Sequence, residues 1–186
     1  GSGTTNLTSV GDYDAFLSKF DADVNFHWAI RLGVTSADQV SDMAVETAGN
    51  IILAGQFSGT ADFDPGAGSL NFTSAGGNDI FIVKISEDGE LVWATQFGDN
   101  GNDLARGVAI DSDNNILTTG RFANTVDFDP GIGVANLVSN GMEDAFISKI
   151  SDDAEYVWAV SMGAGLLDEG TAIHTDAACR VYTAGF

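Results

Sequence analysis

The chain has little positive charge, two prolines and one cysteine among its 186 residues. Its 7 Lys and Arg residues stand against 27 Asp and Glu residues, which gives a formal net charge of −20. Because nucleic acids and anionic membrane surfaces are bound through basic patches, neither is an expected partner. Cys179 has no second cysteine to pair with, which excludes an internal disulfide and a cysteine-based zinc cluster. No run of about 18 apolar residues is present, so we expect no membrane insertion.

The chain repeats itself at an interval of 65 residues. All three tryptophans and all three lysines fall in this frame without gaps, and the string Asp-Phe-Asp-Pro-Gly occurs at 62–66 and again at 127–131. Chance does not place every Trp and every Lys of a chain in one frame. The sequence therefore predicts one segment, 1–186, with repeats 1–65, 66–130 and a truncated 131–186. The positions in register include Trp28, Trp93 and Trp158; Lys19, Lys84 and Lys149; Asp14, Asp79 and Asp144; and Asp38, Asp103 and Asp168.

Each repeat has the pattern of short β-strands. In the segment 91–97, Leu91, Trp93 and Phe97 fall on one face with a period of two. The run 80–83 is apolar at every position, which is typical of a strand buried on both faces. Because a repeated sheet that is apolar on both faces must stack against copies of itself, we expect an all-β fold. The prediction is a β-propeller of about three four-stranded antiparallel blades.

The segments 79–85, 89–95, 107–111 and 115–120 together resemble the SBBP-type β-propeller repeat. The resemblance extends over nearly the whole chain in three copies. It implies a propeller fold and an origin in a large secreted or cell-surface protein of bacteria. The Asp-Phe-Asp-Pro-Gly strings are similar to repeats in multidomain surface proteins of Gram-negative bacteria. No particular activity is implied, because propellers carry many functions.

The number of repeats indicates part of a larger ring. Three blades are fewer than the about four to eight that close a typical propeller. By register, Gly1 and Gly3 align with Gly66 and Gly68, just after an Asp-Pro pair, and Phe186 falls well before the next such pair. We therefore expect either a fragment of a larger propeller or an assembly in which several chains complete one.

Two Asp-x-Asp pairs are candidate calcium ligands: Asp62 with Asp64, and Asp127 with Asp129. On an extended strand such residues face the same way, about 6.5–7 Å apart, and calcium prefers about six to eight oxygens. The alternative, which we favour, is a tight turn in which each aspartate bonds local backbone amides. In either case the phenylalanine between the aspartates is expected to point into the core. Calcium is the one cofactor that the sequence suggests.

The recurring lysines and tryptophans are expected to be structural. An active site is single and asymmetric, so a lysine present in three copies indicates an ion pair between strands. The predicted partners are the recurring aspartates of the series that begin at Asp14 and at Asp38. The tryptophans lie on the apolar face of their strands, which predicts packing between blades.

No catalytic constellation is evident, because no Ser-His-Asp or Cys-His set has supporting spacing. We expect a non-enzymatic extracellular module that acts as a binding or scaffold surface for a protein or glycan ligand, or for further blades of the same parent protein. The second hypothesis is a polysaccharide hydrolase or lyase with its site in the central channel. It would use non-repeating residues such as His27, Arg31, Arg180 and Tyr182. The third is a calcium-stiffened structural or adhesin element.

Overall fold

The computed structural model describes residues 6–9, 14–33 and 38–186. Gly1 and Gly3, which align with the later glycines, lie outside the described residues. Within the described ranges, no helix is long and apolar enough to span a membrane. The strands are β1 (Ala15–Phe20), β2 (Phe26–Leu32), β3 (Gln39–Val45), β4 (Ile51–Asp62), β5 (Asn71–Ile85), β6 (Leu91–Phe97), β7 (Leu104–Ile110), β8 (Ile116–Phe122), β9 (Thr125–Asp127), β10 (Asn136–Val138), β11 (Asp144–Ile150), β12 (Tyr156–Met162), β13 (Gly170–Thr175) and β14 (Val181–Gly185).

Two four-stranded antiparallel sheets form the middle of the chain. The first complete sheet has the strand order β3-β4-β5-β6, and the second complete sheet has the order β12-β11-β8-β7. Two-stranded sheets lie on either side of them in sequence: the N-terminal half-sheet, β1–β2, and the C-terminal half-sheet, β13–β14. Strand β7 contacts β3 of the preceding sheet and β13 of the following one, so the sheets stack in chain order. The predicted all-β fold of stacked propeller blades is confirmed.

Each complete sheet takes its strands from two successive sequence repeats. β3 and β4 come from repeat 1–65, whereas β5 and β6 come from repeat 66–130. In the 65-residue register, β1–β2 corresponds to β5–β6, and β13–β14 corresponds to β3–β4. The described residues therefore form two complete sheets and two half-sheets, not three complete ones. The reason is that the repeat boundary falls in the turn between the second and third strands of a sheet.

The first complete sheet is buried on both faces. Ile80, Phe81, Ile82 and Val83 are all fully buried, as their unbroken apolar run predicts. Ile80 and Ile82 join the core cluster shared with the second complete sheet. Phe81 and Val83 point the other way and join the cluster shared with the N-terminal half-sheet. Side-chain packing thus holds one sheet against the next, and hydrogen bonds hold each sheet together.

Each complete sheet carries an outer hairpin, which we define as residues 59–77 in the first sheet and 124–142 in the second. Both begin at a residue with positive φ: Gly59 at 68° and Asn124 at 51°. Glycine and asparagine reach this left-handed region at low cost. In the first sheet, the pairing of β4 with β5 continues through this irregularity to Asp62 and Asn71. In the second, the hairpin forms the separate pair β9–β10.

Candidate functional site

The Asp-Phe-Asp-Pro-Gly strings form the tips of the two outer hairpins. In the first, Asp62 Oδ1 accepts hydrogen bonds from the backbone N–H groups of Asp64 and Leu70, at 3.0 and 2.8 Å. Asp64 Oδ1 accepts one from the N–H of Gly66 at 2.8 Å. A Cβ on Gly68 would overlap Oδ2 of Asp64, so any other residue there would displace this carboxylate.

The second tip has the same hydrogen bonds. Asp127 Oδ1 accepts from the N–H groups of Asp129 and Ala135, at 3.0 and 2.7 Å, and Asp129 Oδ1 accepts from Gly131 at 2.8 Å. Phe128, between the two aspartates, is fully buried, as is its counterpart in the first tip. The aspartates therefore stabilise the turn, and the phenylalanine anchors it to the core.

The aspartates of both turns are partly engaged by backbone amides. Each of the four aspartates uses one carboxylate oxygen to accept backbone amides, whereas calcium prefers about six to eight oxygens. Among the described residues, neither Asp-x-Asp pair belongs to a group of three acidic, His or Cys side chains that converge within 4.8 Å. Calcium binding by Asp62, Asp64, Asp127 and Asp129 stays a prediction.

Within the part of the chain that the structure describes, the ligand-type side chains that converge are those of Asp111, Asp113 and Cys179. Asp111 already has a cationic partner, because Lys149 Nζ lies 2.6 Å from its Oδ2. Burial opposes ionisation of Asp111, but the hydrogen bonds from Lys149 and Asn115 outweigh it and lower the pKa of the carboxyl. Asp111 is thus engaged in a structural ion pair, and Cys179 approaches it from the β13–β14 turn.

A tryptophan and a lysine of the N-terminal half-sheet hold a turn of the first complete sheet. Trp28 Nε1 donates a hydrogen bond to the carbonyl oxygen of Glu87 at 3.1 Å. Lys19 Nζ lies 3.0 Å from that same carbonyl and 3.0 Å from the Glu87 carboxylate. The strand pair β1–β2 therefore holds the β5–β6 turn of the first complete sheet through two hydrogen-bond donors. We call this arrangement the junction clasp.

The junction clasp recurs one repeat later, between the two complete sheets. Trp93 Nε1 donates to the carbonyl oxygen of Asp152 at 2.9 Å, and Lys84 Nζ pairs with the Asp152 carboxylate. Lys84 also lies 2.7 Å from Glu46 Oε1 within its own sheet. Burial alone would lower the pKa of Lys84, but the hydrogen bonds and charges of these two carboxylates raise it. The lysine is charged and structural.

The predicted lysine partners are wrong. None of the lysines pairs with the aspartate series of Asp14 or Asp38; the acids they meet lie in turns at the other end of the strands. Asp79, for example, is five residues from Lys84 along one strand, which is about 17 Å. Asp79 and Asp103 are buried at the far end, where burial, together with the charge of Asp99, raises the pKa of each carboxyl to about 6.

Four charged residues without repeat equivalents form an ion-pair cluster between the second complete sheet and the C-terminal half-sheet. Arg106 Nε lies 2.7 Å from Glu169 Oε1. Arg121 Nε lies 2.9 Å from Glu143 Oε2 and 3.2 Å from Glu169 Oε2. Sequence reasoning missed this cluster because uncharged residues stand at all the corresponding positions of the other repeats. A search for charged residues whose equivalents in the other repeats are uncharged would have found these four residues, but it would not have shown which of them pair.

The residues named for a channel enzyme do not meet in one place. His27 and Arg31 lie on the N-terminal half-sheet, where each is beside a different aspartate, at 3.8 and 2.8 Å. Arg180 and Tyr182 belong to the C-terminal half-sheet, and both donate hydrogen bonds to Oδ2 of Asp176, at 2.7 and 3.1 Å. Because these four residues are divided between the two half-sheets, they do not form the single cluster that the enzyme hypothesis predicts.

The second outer hairpin exposes large apolar side chains that the first outer hairpin lacks. In the first outer hairpin, the corresponding positions carry small or polar residues, so the large exposed apolar side chains distinguish the second hairpin from the first. Ile132 is completely exposed at the turn. A group of large apolar side chains exposed on one hairpin commonly marks an interaction site. The exposed residues are Ile132, Val134, Val138 and Met142, and their equivalents are Ala67, Ser69, Thr73 and Gly77.

Stacked, repeated antiparallel four-stranded sheets are the architecture of β-propeller blades. Comparison with known families sharpens the class: residues 92–121, which form most of β6, β7 and β8, match the family model described as the SBBP beta-propeller repeat. The predicted resemblance to this family is confirmed. The chain is also 26% identical, over 175 residues, to an uncharacterized WD repeat-containing protein of Acanthamoeba polyphaga mimivirus. That match covers 88% of this chain and 13% of the relative, so the chain spans a small part of that protein's length.

Proposed function

We propose that this chain is a non-enzymatic β-propeller module of a large secreted or cell-surface bacterial protein, and that it presents a binding and scaffold surface to a protein partner. The recurring residues are engaged in packing, turns and junction clasps. Residues that break the repeat are therefore the ones free to specify a partner, as is usual for loops on a rigid scaffold.

The observation that carries this proposal is the second outer hairpin. Its exposed Ile132, Val134 and Met142 replace small residues at the same positions of the first outer hairpin. Branched aliphatic and methionine side chains favour a protein partner over a glycan, because glycans are commonly held by aromatic faces and polar groups. The net charge of −20 on the chain favours a partner whose contact surface is apolar with a basic rim.

Site-specific photocrosslinking tests this surface with a built-in control. A photoreactive amino acid replaces Ile132 in one variant and Ala67, its first-repeat equivalent, in another, each within the full parent protein in its own cells. We expect discrete protein adducts at position 132 and few or none at position 67. Equal labelling at the two positions, or none at either, would contradict the proposed surface.

The proposed location is tested separately. Protease treatment of intact cells that make the parent protein should release peptides of this module, while a cytoplasmic marker stays intact. If the protease cleaves the module only after the cells are broken, the extracellular location is contradicted. That outcome does not test the interaction surface, which the crosslinking experiment tests separately.

A further inference from the structure

The two outer hairpins share one exposed asparagine but differ in the side chains around it. Asn71 begins β5, and its equivalent one repeat later, Asn136, begins β10. Because side chains alternate along a strand, the residues two before and two after each asparagine lie on its own face. The repeat accounts for the asparagine but not for these neighbours. They are Ser69 and Thr73 in the first outer hairpin, and Val134 and Val138 in the second.

The string Asn71-Phe72-Thr73 has the pattern Asn-x-Thr of an N-glycosylation acceptor. The chain has one other such string, at 6–8, and Asn6 occupies the same position of the 65-residue repeat. Both acceptor strings therefore fall at one position of the repeat. Asn136 has lost the pattern, because a valine stands where the threonine would be. Asn71 is the acceptor that lies within a complete outer hairpin.

The first outer hairpin presents this string to solvent. Asn71 and Thr73 are both exposed, whereas Phe72 between them turns inward, with its ring centroid 5.3 Å from that of Phe63. Packing of Phe72 thus fixes the strand with the amide and the hydroxyl group pointing outward. The Nδ2 of Asn71 donates a hydrogen bond to Ser69 Oγ at 2.8 Å, at the surface, where water can replace it.

The surroundings of Asn71 leave room for a bulky polar group. Strand β6 pairs with β5 from Ile80 to Ile85, so the segment 71–73 lies beyond the part of β5 that is held on both sides. The adjoining tip, residues 66–69, consists of small exposed residues. Attached glycans are large and hydrophilic and occupy protein surfaces of this kind.

A purely structural role does not account for Thr73. Its Oγ1 lies 2.9 Å from Oγ1 of Thr60, the residue opposite it on β4. Such a pair of hydroxyl groups across two strands stabilises a hairpin. In the second outer hairpin, however, Thr125 is the equivalent of Thr60 and lies opposite Val138. The same hairpin therefore forms without the hydroxyl pair, so its formation does not require a threonine at this position.

We propose that Asn71 is an N-glycosylation site, so that the first outer hairpin carries a glycan where the second exposes apolar side chains. The chain is the acceptor, and a separate glycosyltransferase supplies the catalysis. Nδ2 of Asn71 attacks C1 of a sugar that has a phosphate leaving group on C1. The new C1–N bond forms as the C1–O bond breaks, its electron pair leaves with the phosphate, and one Nδ2 proton passes to a base of the transferase.

Mass spectrometry of the parent protein, purified from its own cells, tests the site. We expect peptides that contain Asn71 to carry the added mass of one or more sugar residues, which fragmentation assigns to that side chain. We expect Asn136 to be unmodified in the same sample. A glycan at Asn71 does not depend on the proposed interaction surface, and a bare Asn71 would leave the crosslinking result at Ile132 unaffected.

The two hairpins supply matched variants for the acceptor pattern. Thr73→Val gives the first outer hairpin the residue of the second and should abolish the modification at Asn71, whereas Thr73→Ser should retain it. Val138→Thr completes the pattern in the second hairpin and should add a glycan at Asn136. An unchanged pattern of limited proteolysis in each variant shows that the module is still folded.

The sugar donor is either a nucleotide sugar or a lipid-linked sugar, since both carry a phosphate on C1. Parent protein made in a host without the transferase, and shown by mass to be bare, is incubated with radiolabelled uridine diphosphate glucose. Labelling by the membrane-free extract of the native cells identifies a nucleotide-sugar donor. Labelling that requires their membranes identifies a lipid-linked donor. Either result supports the site if Thr73→Val abolishes it.

An unmodified Asn71 in protein from the native cells would overturn the proposal. Modification that persists in folded Thr73→Val would also overturn it, because the acceptor pattern would then not direct the transfer. A bare Asn136 in folded Val138→Thr would contradict the inference that the threonine is what separates the two hairpins.

Discussion

Phe81 in the first complete sheet and Phe16 in the N-terminal half-sheet occupy the same position of the repeat, but Phe81 is fully buried and Phe16 is 67% exposed. The same contrast separates Ile52 of the first complete sheet, which is fully buried, from Tyr182 of the C-terminal half-sheet, which is 52% exposed. Phe16 and Phe81 are the same residue type, and in both pairs the two positions lie on equivalent strands. What differs is the neighbouring sheet, because each unit of a repeat protein completes its core only through the units beside it.

The largest effect should come from truncating equivalent phenylalanines. Phe81→Ala should lower the free energy of unfolding by about 4 kcal/mol, because it removes a buried aromatic ring and leaves a cavity. Phe16→Ala should cost less than about 1 kcal/mol in dilute protein, where its ring faces water. Chemical denaturation measures both. Equal losses at the two positions would show that the half-sheet is as well packed as the complete sheet.

Equivalent lysines provide a second comparison. Lys84→Met should cost about 3 kcal/mol, because it leaves Glu46, whose side chain is 4% exposed, as a buried charge without its partner. Lys19→Met should cost about 0–1 kcal/mol, because the side chain of Glu87 is 62% exposed and is solvated by water. Unfolding curves at pH 7 compare the two variants. A larger loss of unfolding free energy for Lys19→Met than for Lys84→Met would contradict the conclusion that the clasp formed by Lys84 is the more buried one.

Two buried aspartates, Asp79 on β5 of the first complete sheet and Asp103 just before β7 of the second, predict a pH dependence. Burial raises the pKa of Asp79 and Asp103 to about 6. A carboxyl with a raised pKa stabilises the folded state while it is protonated, so this contribution is complete below pH about 4 and is lost as the pH rises through 6. Asp79→Asn should therefore match the wild type at pH 4 and exceed it in stability at pH 7.5.

Asp103→Asn is the matched control for that measurement. Both carboxylate oxygens of Asp103 accept backbone N–H groups, from Asp99 at 2.9 Å and Ala123 at 2.8 Å. An asparagine would place an NH₂ group against one of these donors, so this variant should be less stable at every pH. An Asp79→Asn variant that keeps the wild-type pH profile would show that Asp79 is ionised throughout.

The smallest expected effect concerns the hairpin tips, which have the same hydrogen bonds in both complete sheets. The protein should unfold at the same calorimetric midpoint in calcium and in a chelator. The reason is that Oδ1 of Asp62 and Oδ1 of Asp127 each already accept hydrogen bonds from two backbone amides. A midpoint that rises with calcium and falls with chelator would restore the calcium-stiffened element. Loss of that rise in Asp64→Asn but not in Asp129→Asn would place the ion in the first tip.

Much of the fold could be predicted from the sequence because burial and strand pattern are local and periodic. The apolar run 80–83 predicted a strand buried on both faces, and it is fully buried. The phenylalanines at 63 and 128 were expected in the core from the alternation of their strand, and both are there. The recurrence of Trp and Lys indicated structural roles, and the tryptophans do join one sheet to the next.

The site could be predicted only in part. The partners of the lysines were wrong because periodicity identifies which residues recur but gives no distance between them, and two acidic series were available in the same frame. The Arg106–Glu169 pair was missed because residues 63 positions apart come together only through the stacking of a half-sheet on a complete sheet.

By itself, the sequence determined the 65-residue period, the strands and the side chains that face the core, because these depend on backbone alternation and on the removal of apolar groups from water. Only the tertiary structure decided that sheets combine two successive repeats and which acid each lysine meets. Those outcomes depend on contacts between residues distant in sequence. A local pattern does not encode such contacts, because hydrogen bonds and ion pairs form only at the distances that packing allows.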